Sequence, residues 1–197
     1  MKALLFADVV DPWSYIGATR FERAAATFTI VTGEPVEISY RARLCEAGSL
    51  TEGEQDLAAA AAKITGIDLN FAEVVPASSF EAWRMLTWAG DAGPGVQRDL
   101  LHQLWRAHFL EGADVADPLV LTTRAALVGL ELETAEALLA SEEYADAVRA
   151  QDETARELHM TQLPHVVVET TWTLAGVQSQ NDYVQALRQI HAEWAGN

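Results

Sequence analysis

A short apolar run that ends in an acidic residue and a proline constrains this chain most. Residues 3 to 10 are too few for a buried helix, and Asp11-Pro12 then supplies an N-cap followed by a proline suited to the first helical position. The run reads as a strand delivered straight into a helix. That helix carries Tyr15, Ile16, Ala18, Phe21, Ala25 and Phe28 toward a core and ends before Gly33-Glu34-Pro35. Val36 to Arg41 alternates as a second strand. Strand, helix and strand with short joins make a right-handed crossover between parallel strands.

From Glu52 to Leu158 the pattern is helical throughout. It includes the alanine run at 58 to 62, segments near 78 to 90 and 95 to 110, and a further pair of helices to residue 158. Breaks are expected at Gly66, Gly90 to Gly95, and Asp114 to Pro118. After Leu163-Pro164, His165 to Glu169 and Trp172 to Ala175 read as two short strands, and Tyr183 to Trp194 as an amphipathic helix. So tight a join makes the strands an antiparallel hairpin, although Glu169-Thr170-Thr171 lacks the Gly or Asn that such turns favour. The expected class is α/β: residues 1–50 and 159–197 build a mixed sheet, and 51–158 form an all-helical insertion.

Charge narrows the partners. Acidic residues outnumber basic ones 29 to 13, for a net charge of -16, and the Lys and Arg are scattered. Neither nucleic acid nor an anionic membrane is an expected partner. Asp8 and Asp11 interrupt the N-terminal apolar run before it reaches the length of a signal peptide core, and no apolar run is long enough to span a bilayer. With Cys45 as the single cysteine, no disulfide framework is expected, and a cytoplasmic location is the default. Cys45 itself reads as an incidental thiol in a loop. No metal is expected: His102 and His108 are six apart, and four would place them on one helical face. Gly90, Gly93 and Gly95 fall between helices, where a loop explains them.

The segment Asp8-Val9-Val10-Asp11-Pro12-Trp13-Ser14-Tyr15-Ile16-Gly17 resembles the place in FrnE-like proteins where a strand delivers Cys-Pro-Trp-Cys-Tyr-Ile-Gly to a helix start. Ser79-Phe80-Glu81-Ala82 with Arg84, Phe109 to Gly112, Tyr144 to Val148, and Leu163-Pro164 extend the match in order through nearly the whole chain. The chain is thus similar to the DsbA-like thioredoxin-fold oxidoreductases. The resemblance implies a thioredoxin-like fold with an inserted helical domain, and a cis-proline at Leu163-Pro164 facing the start of the first helix. Asp11 and Ser14 stand where the two cysteines would be, and neither can exchange disulfides. A related branch holds the kappa-class glutathione transferases and 2-hydroxychromene-2-carboxylate isomerases, in which a serine at the first of these positions helps activate glutathione. Here the serine is at the second position, and a charged Asp11 opposes a thiolate. No resident cofactor is expected, with glutathione the one candidate.

Each candidate site residue carries a plainer alternative. Asp11 is either only an N-cap or a carboxylate kept ionised by the helix terminus for use in a site. His165, directly after the proline, either joins Asp11 as an acid–base pair or packs against the sheet. Ser14 either binds a substrate oxygen or bonds back locally. Trp13, Tyr15, Leu163, Pro164 and Trp83 are expected to line a cleft for a small organic molecule or peptide. Trp88, Trp105 and Phe109 belong either there or in the core. The function expected is ligand binding without dithiol exchange, with isomerase-type chemistry by Asp11 and His165 if any. Two alternatives stay open: a non-catalytic protein that pairs with a partner's backbone beside Pro164, and a glutathione-dependent kappa-class enzyme. A homodimer is expected if the hairpin or last helix exposes an apolar face.

Overall fold

The computed structural model describes residues 1–46, 48, 50–93 and 95–195. Among them, β1 (Lys2–Ala7), α1 (Pro12–Thr32) and β2 (Glu37–Ala42) form the crossover, and α2 (Glu52–Thr65), α3 (Phe80–Asp91) and α4 (Val96–Phe109) follow. Next come α5 (Pro118–Leu127), α6 (Leu132–Leu139) and α7 (Ala145–Glu157), then β3 (His165–Val168), β4 (Trp172–Ala175) and α8 (Gln180–Ala195). The sheet order is β2-β1-β3-β4, with β1 parallel to β2 and antiparallel to β3.

Strand β1 is central and apolar on both faces. Leu5, Val166 and Val168 lie in the main core with Phe21 and Phe28 of α1 and Tyr183 and Leu187 of α8. Leu4, Phe6 and Val167 turn the other way, toward Ala155 of α7 and Met160. The last inserted helix thus covers part of one sheet face. The main cluster also runs on into α3 and α4 through Trp83, Leu100 and Trp105, so hydrophobic burial is continuous from the sheet into the helices.

β1 stops at Ala7, three residues before the end of the apolar run. The cause is Asp8, whose N–H donates to Ser14 Oγ at 3.0 Å while its carbonyl accepts Trp105 Nε1–H at 3.0 Å. Those bonds occupy the groups a strand would need. Three helices, not a pair, fill 118–157, because Gly129, at φ +85°, breaks what reads as one helix. The hairpin turn closes without Gly or Asn by placing Glu169 and Thr170 at φ 49° and 59°. Arg84, 2% exposed, donates to Glu81 and to the carbonyls of Leu138, Ser141 and Glu143, fixing the α6–α7 link against α3. No helix among the described residues is long and apolar enough to cross a membrane.

Candidate functional site

The site grows from the first turn of α1. Asp11 caps it: Oδ2 accepts Ser14 N–H at 2.7 Å and the Ser14 hydroxyl at 2.6 Å. Pro12 occupies the first helical position, where no N–H is needed. The same Ser14 Oγ accepts Asp8 N–H, so Asp8, Ser14 and Asp11 form one hydrogen-bonded chain. Asp8 is fully enclosed. Its carboxylate accepts Val9 N–H at 2.7 Å, Cys45 N–H at 2.6 Å and Trp83 Nε1–H at 3.0 Å, and Ser79 adds a further bond. Burial outweighs these bonds and pushes the Asp8 carboxyl up to about 6.

Facing α1 is the Leu163-Pro164 segment, whose peptide bond is cis. The approach is close because residue 17 is glycine: a Cβ there would fall 2.3 Å from Pro164 Cδ. Pro164 C=O accepts Gly176 N–H at 3.0 Å, and the Tyr183 hydroxyl donates to Gly176 C=O and accepts Gln178 N–H. The strand-to-helix link after β4 is held in this way. Between it and α1 opens a cavity of about 430 Å³, lined among others by Asp11, Trp13, Cys45, Leu163, Val177 and Gln178. No described residue hydrogen-bonds the Leu163 N–H or C=O.

A second, inner cavity, of about 300 Å³, lies on the other side of the α1 terminus from this first, outer one. Val10, Leu50, Phe71, Val74 and Phe109 make its apolar wall, and His108 supplies a polar group. Asp11 and Cys45 border both cavities. His108 is 2% exposed, its Nδ1 has no hydrogen-bond partner among the described residues, and burial pushes its imidazolium down to about 4. It is neutral near pH 7. Burial, aided by Asp8 and Asp11, pushes the Cys45 thiol well up and so disfavours its thiolate.

Several sequence expectations need correction. The helix terminus does not hold the Asp11 carboxyl low: burial raises it and outweighs the bonds from Ser14 and Trp13. His165 does not pair with Asp11. Strand alternation sends consecutive side chains to opposite faces, so with Pro164 packed on α1 the register places His165 with Phe6 and Val167, on the α7 side. It lines neither cavity, and its buried Nδ1 has no partner among the described residues. Ser14, 0% exposed, spends its hydroxyl inside the chain and offers nothing to a substrate. Tyr15 belongs to the core, stacked on Trp105 at 5.0 Å. Trp83 is likewise buried, with its indole on Asp8. Of the expected cleft residues, Asp11, Trp13 and Leu163 do line the outer cavity, while Pro164 is buried behind Leu163 against Gly17.

Sequence reasoning missed Asp8 and His108 as site-forming residues. Asp8 had a signal, an acid inside an apolar run that burial would oblige to find donors. His108 had a weaker one, a histidine between Ala107 and Phe109 on a helix with an apolar face.

Comparison with known proteins agrees with this architecture. The family profile of the DSBA-like thioredoxin domain matches residues 4–188. No curated protein matches the chain in sequence. A probable DsbA oxidoreductase from Streptomyces coelicolor superposes with a TM-score of 0.84 at 28% identity, covering 98% of this chain and 91% of that one. The cytosolic disulfide reductase DsbM from Pseudomonas aeruginosa, in a structure with GSH, gives 0.70 at 20% identity, covering 96% and 98%. A 2-hydroxychromene-2-carboxylate isomerase gives 0.66 at 16% identity, covering 99% and 96%. The last two show a shared fold. With a single cysteine in 197 residues the dithiol motif is absent, yet the profile spans nearly the whole sequence, and the chain belongs to the DSBA-like thioredoxin domain family.

Proposed function

We propose that this protein is a ligand-binding member of the family's FrnE-like branch that performs no thiol–disulfide exchange. Its ligand is a small molecule of peptide-like character, held against Leu163. The observation that carries this reading is the unpaired Leu163 backbone in the wall of the outer cavity, beside Asp11 and Trp13. A backbone donor and acceptor so placed suit an extended amide ligand, which supplies the complementary pair. Asp11 and Cys45 border both cavities, so a side group of the same ligand can reach the apolar inner cavity.

Glutathione is the first ligand to test. It is a short peptide, and DsbM, a relative by fold, has a structure with GSH. The raised Asp11 carboxyl weakens the charge argument against it, since a proton on Asp11 or on the glutathione sulfur removes the repulsion. A cytoplasmic setting, where glutathione is the abundant thiol, fits the acidic, single-cysteine composition.

The test is calorimetric titration with reduced glutathione. The expected result is saturable binding that Trp13→Ala weakens by about tenfold. Absence of binding at millimolar concentration removes glutathione, and if capped dipeptides also fail, the peptide-like reading falls. A second reading is favoured by Asp11, which alone of the proposed acid–base residues reaches the cavities. Its raised carboxyl suits proton transfer in an isomerisation. That reading requires turnover that disappears in Asp11→Asn while binding survives.

A further inference from the structure

We propose that the outer edge of β2 takes up an extended, positively charged peptide segment of a partner protein as an added strand, hydrogen-bonded at Ile38. Among the described residues β2 is an edge strand of the sheet, paired with β1 alone. The pairing bonds alternate along it. Glu37 N–H donates to Met1 C=O and Arg43 N–H to Ala7 C=O, so odd-numbered residues face β1 and even-numbered ones face outward.

The outward groups are treated unequally. Tyr40 N–H donates to Gln97 Oε1 at 3.0 Å, and Gln97 Nε2–H donates back to Tyr40 C=O at 3.2 Å, so this side-chain amide stands in for a neighbouring strand. Ala42 N–H is likewise taken by Gln151 Oε1 at 2.9 Å. At Ile38 the covering ends. No described residue hydrogen-bonds its N–H or C=O outward, and the same holds for Val36, two residues earlier. Two open positions two residues apart match the repeat of an added strand.

The space beside them is shaped for one. A groove of about 790 Å³ runs between this edge, the outer side of α1 and the α3–α4 turn. On the α1 side it offers apolar surface from Ala26, Ile30 and Ile38, with Ile30 85% exposed. Charge decides the occupant. Glu22 and Glu37 line the groove, Glu22 accepting the Tyr40 hydroxyl at 2.6 Å and lying 2.9 Å from His102 Nε2, so Glu37 is its open carboxylate; Arg98, its one basic residue among those described, is held by Asp99 through two bonds of 2.9 and 2.6 Å. No described residue pairs with the Glu37 carboxylate. A second copy of a chain with net charge -16 is repelled from such an edge, whereas a segment alternating apolar and cationic residues is complementary on both faces.

The experiment is an NMR titration of the full chain with a short capped peptide alternating lysine and valine, and with its glutamate–valine counterpart. The expected result is saturable shifts at the Val36 and Ile38 amides, slowed hydrogen exchange at Ile38, and binding by the lysine peptide alone. Ile38→Pro removes the outward N–H without touching a β1 bond, and Glu37→Lys reverses the charge on an exposed side chain; each should weaken binding about tenfold or more. Equal binding of the glutamate peptide, no saturable shift at Ile38, or indifference to Glu37→Lys overturns the proposal. Concentration-dependent protection of Ile38 in the protein alone also overturns it, in favour of a second copy.

Discussion

Asp8 and His108 are buried alike and supported in opposite ways. Around the Asp8 carboxylate the fold gathers two backbone N–H groups, the Trp83 indole and Ser79, and it seats the Trp105 indole on the Asp8 carbonyl. Around His108 it gathers no hydrogen-bond partner among the described residues, and the ring borders an apolar cavity. Saturated polar groups mark the scaffold, because their removal leaves donors stranded. An unsatisfied polar group beside an empty volume marks a place where binding can still gain a bond. The start of α1 joins the two regions, with Asp8 beneath it and the inner cavity beyond Asp11.

The largest expected effect breaks the saturated side. Asp8→Ala strands the four donors on its carboxylate and should cost about 4 kcal/mol in chemical denaturation, whereas His108→Phe should change stability by less than about 1 kcal/mol. Equal losses would erase the distinction. Next in size is the pH dependence. Raising the Asp8 carboxyl from 3.8 to about 6 means the folded chain holds a proton the unfolded chain releases, so this contribution falls by roughly 3 kcal/mol as pH rises across that window. Lowering His108 from 6.5 to about 4 acts in reverse, since the unfolded chain binds the proton, and its contribution rises with pH by a similar amount.

Asp8 and His108 together should therefore contribute little slope between about pH 4 and 6. Relative to the unmodified protein, Asp8→Asn should make stability climb with pH, and His108→Phe should make it fall, as read by thermal unfolding across the range. A slope of the wrong sign in either variant refutes the assignment of these two groups. A smaller effect tests the contact between α1 and the proline segment: Gly17→Ala forces Pro164 to shift and should cost about 2 kcal/mol. The smallest concerns the cap. Asp11→Ala should cost about 1 kcal/mol, so any large loss of ligand binding in that variant reports on the site, not the fold.

Much of the fold was legible, because local patterns and tertiary packing agree along β1, α1, β2 and the hairpin. The Asp11-Pro12 start and the Gly33 end of α1 fall where capping chemistry places them. The site was less legible, since its members are distant in sequence and their directions depend on pairing. His165 shows the difficulty: adjacency to Pro164 suggests a shared pocket, but one residue along a strand reverses the face. Ser14 and Trp83 show another. Each is chemically able to meet a substrate, and each is instead spent on Asp8 or Asp11, a competition that no spacing rule reveals.

The central place of β1 also has a consequence for biosynthesis. Leu5 pairs with Leu5's near neighbour in time, Tyr40, soon after both emerge, but its other partner is Val166, made only after every inserted helix. The emerging chain thus carries an apolar strand with one flank open throughout the translation of the helical segment. Gly17 must likewise wait for Pro164. The outer cavity forms only once the Leu163-Pro164 segment has been made, so a chain stalled or terminated before it has helices but no Leu163 wall, and exposes the edge on which aggregation begins.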